Sequence, residues 1–101
     1  HSENMLVVAF NKNEVGVDVQ KIVQYNEKLA NKICNNNELE ELKNAKDKNL
    51  KFTEIWTLKE SYLKLKGLGI YMDLKNVLSK KDYCFKYFYV GEYVICECIN
   101  I

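Results

Sequence analysis

The C-terminal part of the chain constrains the fold most. Residues 83–101 are rich in aromatic and β-branched side chains and are interrupted only by Gly91-Glu92. This composition is typical of β-strands. A two-residue connection with glycine at its first position favours a tight hairpin. We therefore predict antiparallel strands at residues 83–90 and 93–101, so a sheet must form part of the fold.

Turn and helix signals divide the remainder of the chain. Residues 6–10 and 15–20 have strand composition and flank a turn-like segment, which predicts a second hairpin. Apolar residues then recur at helical spacing from Ile22 to Ile33 and from Leu39 to Ala45. After a polar break at residues 47–51, the longest helix runs from Phe52 to a glycine cap at Gly67. This order predicts an α+β fold, with an antiparallel sheet packed against a long helix and two shorter helices.

Length and composition predict one domain that covers residues 1–101. The chain has 101 residues, of which 48% are hydrophobic, so one core can form without metal or disulfide staples. The net charge of +1 and the absence of a dense basic stripe argue against nucleic acid or an anionic membrane as a partner. The spacing of the cysteines does not fit a zinc site, and we expect four reduced thiols.

The same composition argues for a cytoplasmic protein without a membrane span. No stretch of the sequence approaches the roughly 18 apolar residues that a spanning helix needs. The chain opens at His1 and enters strand-like sequence within a few residues. We therefore expect it to be part of something longer.

The strand at residues 15–20 carries an unusual acidic residue. Its period of two places Val15, Val17 and Val19 on one face, and Gly16, Asp18 and Gln20 on the other. We expect the valines to take the core and the polar residues to share an open face. Asp is depleted in strands and needs solvent, a partner or a metal, so Asp18 is a candidate functional residue. Gly16 has the simpler explanation of close backbone approach.

The long helix carries a second candidate group. Glu60 and Lys64 lie four residues apart and Trp56 one turn earlier, so all three share a helix row. If that row meets the face of Asp18, two carboxylates converge beside a lysine, which suits Mg²⁺ and a diphosphate. The chain has no arginine, so lysines, the single histidine, backbone N–H groups or a metal would hold any phosphate. The simpler alternatives are an exposed Glu60–Lys64 pair and a core position for Trp56.

Taken together, the motifs resemble a known family. The opening His1-Ser2, the G-V-D-V segment at residues 16–19, and the W-x-x-K-E-S-x-x-K segment at residues 56–64 followed by G-x-G resemble the 4'-phosphopantetheinyl transferases of the Sfp type. The order and intervals agree along the whole chain. Sfp-type enzymes have two similar α+β halves with coenzyme A and Mg²⁺ in the cleft between them, and this chain resembles the C-terminal half.

The resemblance implies an activity and site residues. The family transfers 4'-phosphopantetheine from coenzyme A to a serine of an acyl or peptidyl carrier protein and releases adenosine 3',5'-bisphosphate. Asp18 and Glu60 would bind Mg²⁺, and Glu60 would be the base for the carrier serine. Lys64 would contact the diphosphate. The residues expected near the coenzyme are Lys59, with His1 and Ser2 at its 3'-phosphate.

One position departs from the family pattern. Sfp-type sequences often have Glu where this chain has Gln20, so Gln20 would be a weak metal ligand, directly or through water. Alternatives to an active enzyme remain open. The chain is also consistent with an incomplete half-domain that needs its N-terminal half or self-association, or with a carrier-protein or nucleotide-binding module. In the third alternative, its charges merely solubilise an α+β domain.

Overall fold

The computed structural model describes residues 14–67 and 74–101 of the chain and confirms the predicted α+β architecture. Within these residues the sheet has three antiparallel strands in the order β1-β3-β2. The elements in chain order are β1 (Val15–Lys21), α1 (Glu27–Ile33), α2 (Asn36–Asn44), α3 (Lys48–Lys66), a short 3-10 helix (Leu74–Asn76), β2 (Tyr83–Val90) and β3 (Tyr93–Asn100). The predicted strand at residues 6–10 lies outside the described residues.

The C-terminal hairpin forms where the sequence predicts it. Val90 pairs with Tyr93, and Gly91 adopts a φ of 57°, a conformation that side chains other than glycine rarely adopt. β3 is the central strand, because it pairs with β2 on one edge and with β1 on the other. The last predicted strand therefore holds the sheet together.

The helices begin at side-chain caps, and two of the predicted boundaries move for this reason. Asn26 accepts a hydrogen bond from Leu29 N–H, so α1 begins at Glu27 rather than at Ile22. Asp47 accepts one from Leu50 N–H, so α3 begins inside the segment predicted to be a polar break. Gly67 ends α3 at a φ of 66°, which confirms the predicted glycine cap.

Helix α3 is the centre of the molecule. It contacts β1 and β3 on one side and α2 on another, and two clusters of buried apolar residues pack around it. Phe52 and Ile55 belong to the cluster with α1 and α2, whereas Leu58 and Leu63 belong to the cluster with the sheet. A helix that is covered on most sides needs apolar residues around most of its circumference, which is why α3 has no simple polar face.

The predicted orientation of β1 is wrong for most of the strand. Gly16 and Asp18 face α3 and are buried, whereas Val15 and Val17 are only half-buried. Of the three valines predicted to take the core, Val19 alone is buried. The cause is the close approach of two backbones, since a Cβ on Gly16 would lie 2.1 Å from Ser61 O and 2.5 Å from Leu65 N. The expectation that Gly16 permits such an approach is confirmed. The face that carries Asp18 therefore meets the helix rather than open solvent.

All four cysteines are free, as the sequence predicts. Cys34, Cys96 and Cys98 are buried, and Cys84 is exposed. In the part of the chain that the structure describes, none of the helices is long and apolar enough to cross a membrane.

Candidate active site between β1 and the long helix

The buried carboxylate of Asp18 is the centre of the candidate site. Its side chain is 2% exposed, and both carboxylate oxygens are occupied. Lys64 Nζ donates to Oδ1 at 2.8 Å, and Gln20 Nε2 donates to Oδ2 at 2.8 Å. A buried carboxylate is tolerated only with such partners, because it would otherwise lose its hydration without compensation. The ion pair joins the two sequence motifs across 46 positions of the chain.

Glu60 adds a second carboxylate beside this ion pair. It lies one helical turn before Lys64 on α3 and is half-buried. Burial raises the pKa of Glu60 above its ordinary value, the negative charge of Asp18 raises it further, and the Lys64 ammonium opposes both effects. A carboxyl whose pKa is raised in this way is better suited to accept a proton.

The small residues at the contact between β1 and α3 position these side chains. Gly16 lets the strand lie against the helix backbone at Ser61, and Ser61 is fully buried there. Ser61 Oγ donates to Leu58 O at 2.8 Å, which satisfies the hydroxyl within the helix. Because side chains three and four residues apart share a helix face, Lys64 then reaches Asp18 two residues along the strand from Gly16.

Lys59 has a different environment from Glu60, its neighbour in sequence. Its side chain is 1% exposed, and its Nζ lies 2.9 Å from Glu38 Oε1 and 2.5 Å from Leu74 O. Glu38 also accepts from Asn35 N–H and so completes the capping box that begins α2. The ammonium thus connects α2, α3 and the 3-10 helix. Its predicted contact with coenzyme A remains a prediction, and in this structure its donors point into the protein.

Sequence reasoning missed this buried pair, although part of the signal was present. Asn35-x-x-Glu38 is the pattern of a capping box and predicts where α2 begins. Nothing in the sequence pattern indicates that Lys59 is the third member, since its partners come from different elements.

The remaining predicted residues have different positions. His1 and Ser2 lie outside the described residues. Trp56 is half-buried and packs against the cluster of α1, α2 and α3 rather than lying in its centre. Gln20 is half-buried on the Asp18 face, but its amide donates to the carboxylate.

The carboxylate oxygens of the candidate site are of the type that binds hard cations such as Mg²⁺. Among residues 14–67 and 74–101, no group of three or more His, Cys, Asp and Glu side chains is placed to hold a metal. Mg²⁺ commonly uses one or two protein carboxylates and completes its octahedron with water and substrate phosphate oxygens. Asp18 and Glu60 are carboxylates of the kind that Mg²⁺ uses, and the Lys64 ammonium holds a positive charge against Asp18.

Comparison with known protein families identifies the class of protein. The family model of the 4'-phosphopantetheinyl transferase superfamily matches residues 14–94, a span that includes β1, all three α-helices and the start of β3. The chain therefore belongs to this superfamily, as its motifs suggested. The fold is similar to that of holo-[acyl-carrier-protein] synthase from Thermotoga maritima, with a TM-score of 0.72, 15% identity, and coverage of 86% of this chain and 62% of that chain.

Individual relatives are bacterial 4'-phosphopantetheinyl transferases. The chain is 33% identical to the transferase gsp of Aneurinibacillus migulanus over 85 residues, which is 81% of this chain and 35% of the relative. It is 30% identical to Sfp of Bacillus subtilis strain 168 over 79 residues, or 75% of this chain and 35% of that protein. The chain thus spans about a third of the length of the curated relatives it matches.

Proposed function

We propose that this domain forms the metal-binding and diphosphate-binding part of a site that transfers 4'-phosphopantetheine from coenzyme A to a serine of an acyl or peptidyl carrier protein. The observation that carries the proposal is the 2.8 Å contact between Lys64 Nζ and Asp18 Oδ1 beside Glu60. It joins the two motifs that resemble the family. Membership of the superfamily supplies the reaction class.

The proposed reaction is a phosphoryl-group substitution. The carrier serine Oγ attacks the phosphorus that bears the pantetheine arm and forms a new P–O bond. The bond from that phosphorus to the bridging oxygen breaks, and adenosine 3',5'-bisphosphate leaves with the bonding electron pair. The serine proton passes to the Glu60 carboxylate, directly or through a water. The position of Glu60, one helical turn before Lys64 on α3, supports this role.

Asp18 and Glu60 are the proposed ligands of Mg²⁺. When bound, the cation would stabilise the negative charge that develops on the phosphate oxygens. Gln20 supports the site by donating to Asp18 Oδ2, which fixes the plane of that carboxylate. We assign Gln20 to this positioning role first, and second to a weak metal contact, directly or through water.

Lys64 is the proposed diphosphate ligand from this chain. Its side chain is 34% exposed on a flexible stem, so the ammonium can reach a phosphate oxygen at the surface of the site. Because the chain has no arginine, a lysine point charge takes the place of a guanidinium fork. His1, Ser2 and Lys59 remain proposed coenzyme contacts that rest on the resemblance alone.

We further propose that the site needs a second wall. The chain covers 35% of the length of gsp and of Sfp. Small-molecule sites commonly lie in clefts between domains. The second wall would come from a further part of a longer protein or from another copy of this chain. An isolated domain would then hold the metal ligands without a complete coenzyme surface.

The experiment compares this chain with a chimera. In the chimera, residues 14–94 replace the matching segment of gsp. Each protein is incubated with coenzyme A, Mg²⁺ and an apo carrier protein, and the carrier is weighed by mass spectrometry. We expect the chimera to add phosphopantetheine to the carrier and the isolated chain to add little.

Glu60→Gln in the chimera should abolish transfer while its melting temperature stays close to that of the parent. The matched control is Glu40→Gln, the same change at an exposed position of α2. Normal transfer by the Glu60→Gln chimera would remove Glu60 from the mechanism. A folded chimera that binds coenzyme A but modifies no carrier would contradict the proposed function.

A further inference from the structure

The ion pair of Asp18 has a consequence for the order in which ligands enter the site. In the structure, Lys64 Nζ donates to Asp18 Oδ1 at 2.8 Å. The second oxygen is bound by Gln20. A cation that binds Asp18 must therefore approach a carboxylate that has a positive partner.

A divalent cation and the ammonium cannot share this position. Mg²⁺ binds carboxylate oxygens at about 2.0–2.1 Å and requires a nearly ideal octahedron. An ammonium on the same oxygen would lie within a few ångströms of the ion, where two positive charges repel strongly in a half-buried site. The Asp18 side chain is 2% exposed, so solvent screens this repulsion poorly.

Lys64 has a route out of the site. Its side chain is 34% exposed, whereas Asp18 is almost fully enclosed, so the lysine is the partner that can move. Its four-carbon stem lets the ammonium swing without displacement of α3. Gln20 would keep Asp18 oriented after the lysine leaves, because it binds the other oxygen.

We propose that Lys64 is the resident cation of the free site and competes with Mg²⁺ for Asp18. A diphosphate group that accepts the Lys64 ammonium relieves this competition, so the metal and the diphosphate ligand each strengthen the binding of the other. This inference rests on the proposed function for the identity of the two ligands. Thermodynamic linkage makes the effect reciprocal, so it is measurable from the metal side alone.

The first arm of the test uses this chain and Mg²⁺ without coenzyme A. Calorimetric titration is run on the wild type and on Lys64→Met. We expect Mg²⁺ to bind Lys64→Met more tightly, by about 5-fold or more, the lower end of typical coupling factors. A loss of Mg²⁺ affinity, or no change in it, would overturn the proposal. If Lys64 competed with Mg²⁺ for Asp18, its removal would have to tighten Mg²⁺ binding.

Two further variants keep this arm decisive. Lys86→Met removes the same charge from an exposed position of β2 and should leave Mg²⁺ affinity at the wild-type value. Lys64→Gln retains a donor for Asp18 Oδ1 without the charge, and it should behave as Lys64→Met does. If a Lys64 variant unfolds because Asp18 has lost its partner, that unfolded variant is also titrated with Mg²⁺. Refolding of the variant by Mg²⁺ supports the proposal. Failure of Mg²⁺ to refold the variant counts against the proposal.

The second arm repeats the titration with saturating coenzyme A. Coenzyme A should tighten Mg²⁺ binding to the wild type and should have a much smaller effect on Lys64→Met. Equal tightening of both proteins, or none in the wild type, would overturn the proposed coupling. Neither arm measures modification of the carrier protein, so the two proposals can fail separately. If Lys64 competes with Mg²⁺ but the chimera transfers no phosphopantetheine, the proposed function alone is refuted. If the chimera transfers phosphopantetheine but Lys64 does not compete with Mg²⁺, this inference alone is refuted.

Discussion

Asp18 shows how one side chain can serve both the fold and a binding site. It lies under α3 with 2% of its side chain exposed, and its charge is balanced by a lysine and an amide. A buried ion pair adds little net stability, because desolvation offsets most of the Coulombic attraction. Stability therefore does not explain why a carboxylate occupies this position. A ligand that replaces the lysine would explain it.

The amide of Gln20 leads to a prediction about its acidic variant. Gln20→Glu removes the donor to Asp18 Oδ2 and places a second negative charge beside it. We expect the free energy of unfolding to fall by about 1–3 kcal/mol without metal, since a hydrogen bond to a charged group is lost. We expect Mg²⁺ binding to the free protein to become tighter, and the gain to shrink once coenzyme A supplies its diphosphate.

Urea denaturation and calorimetry with and without coenzyme A test both halves of this prediction. Gln24→Glu, at an exposed position just after β1, is the control for added charge. Equal Mg²⁺ affinity in Gln20→Glu and the wild type would mean that this side chain does not face the cation.

The contact of Gly16 with α3 leads to a stability prediction. In Gly16→Ala, the new Cβ would lie 2.1 Å from Ser61 O, so the strand and the helix must separate. Overpacking of this kind typically costs about 1–3 kcal/mol, and this case belongs at or above the upper end because both partners are backbone. The midpoint of urea denaturation is the measurement.

Gly67→Ala is the matched comparison for Gly16→Ala. Within residues 14–67 and 74–101, and apart from its neighbours along the chain and the helix's own backbone, no atom lies within 4 Å of its added Cβ, so the backbone strain at a φ of 66° is the expected cost. That strain costs about 1–2 kcal/mol. An equal loss in the two variants would show that the close approach of β1 to α3 is not a determinant of stability.

At the scale of elements, residues that are neighbours in the sequence of α3 have different roles. Successive residues of a helix point about 100° apart, so Lys59 and Glu60 face different partners. Lys59 is enclosed between α2 and the 3-10 helix, whereas Glu60 lies close enough to Asp18 and Lys64 for their charges to shift its pKa. The same short motif therefore contains one residue that anchors elements and one that belongs to the candidate site.

The enclosed ammonium of Lys59 predicts a structural phenotype. Lys59→Met would leave Glu38 and the Leu74 carbonyl without this donor, and we expect a loss of about 3–5 kcal/mol, the usual cost of breaking a buried pair. Lys28→Met, at an exposed position of α1, should change stability little. Thermal and urea unfolding provide the measurement. Full stability in Lys59→Met, together with weaker coenzyme A binding in the chimera, would favour the coenzyme role instead.

The sequence predicted elements better than it predicted faces. The C-terminal hairpin and the Gly67 cap follow from local chemistry, namely strand composition and the left-handed backbone of glycine. The orientation of β1 does not, because alternation distinguishes two faces without showing which one the helix covers. The valines suggested the wrong face, and the decisive residue was Gly16, which contributes no hydrophobic surface at all.

The same limit applies to the candidate site. Helical spacing was enough to place Glu60 and Lys64 on one row, and strand spacing placed Asp18 and Gln20 on one face. That these two surfaces meet depends on tertiary packing. The amide donation by Gln20 and the enclosure of Lys59 are likewise contacts between side chains that spacing does not encode.

At the scale of the whole molecule, burial determines how reactive each cysteine thiol is. Burial raises the pKa of Cys34 to about 11, that of Cys96 to about 12 and that of Cys98 to about 11. Cys84 is exposed on β2. Because the thiolate is the reactive form, the three enclosed thiols should be inert in the folded protein.

We therefore expect a thiol reagent at pH 8 to label Cys84 rapidly and the other three cysteines only after unfolding in urea. Cys84→Ser should remove the rapid phase. Rapid labelling of more than one thiol in the native protein would show that the interior opens locally. A reductant should leave the melting temperature unchanged, since all four cysteines are free.

The central position of β3 has a consequence for how the chain acquires its structure. β3 follows every other described element in sequence, yet both remaining strands pair with it rather than with each other. Among the described strands β1 pairs with β3 alone, so this pairing cannot form during synthesis until nearly all the described chain has been made. The helices and their caps form from local contacts and can precede it, whereas a sheet of this order carries long-range contacts that slow folding. A nascent chain that ends before Tyr93 would expose the apolar side of α3 and should depend on chaperones until β3 emerges.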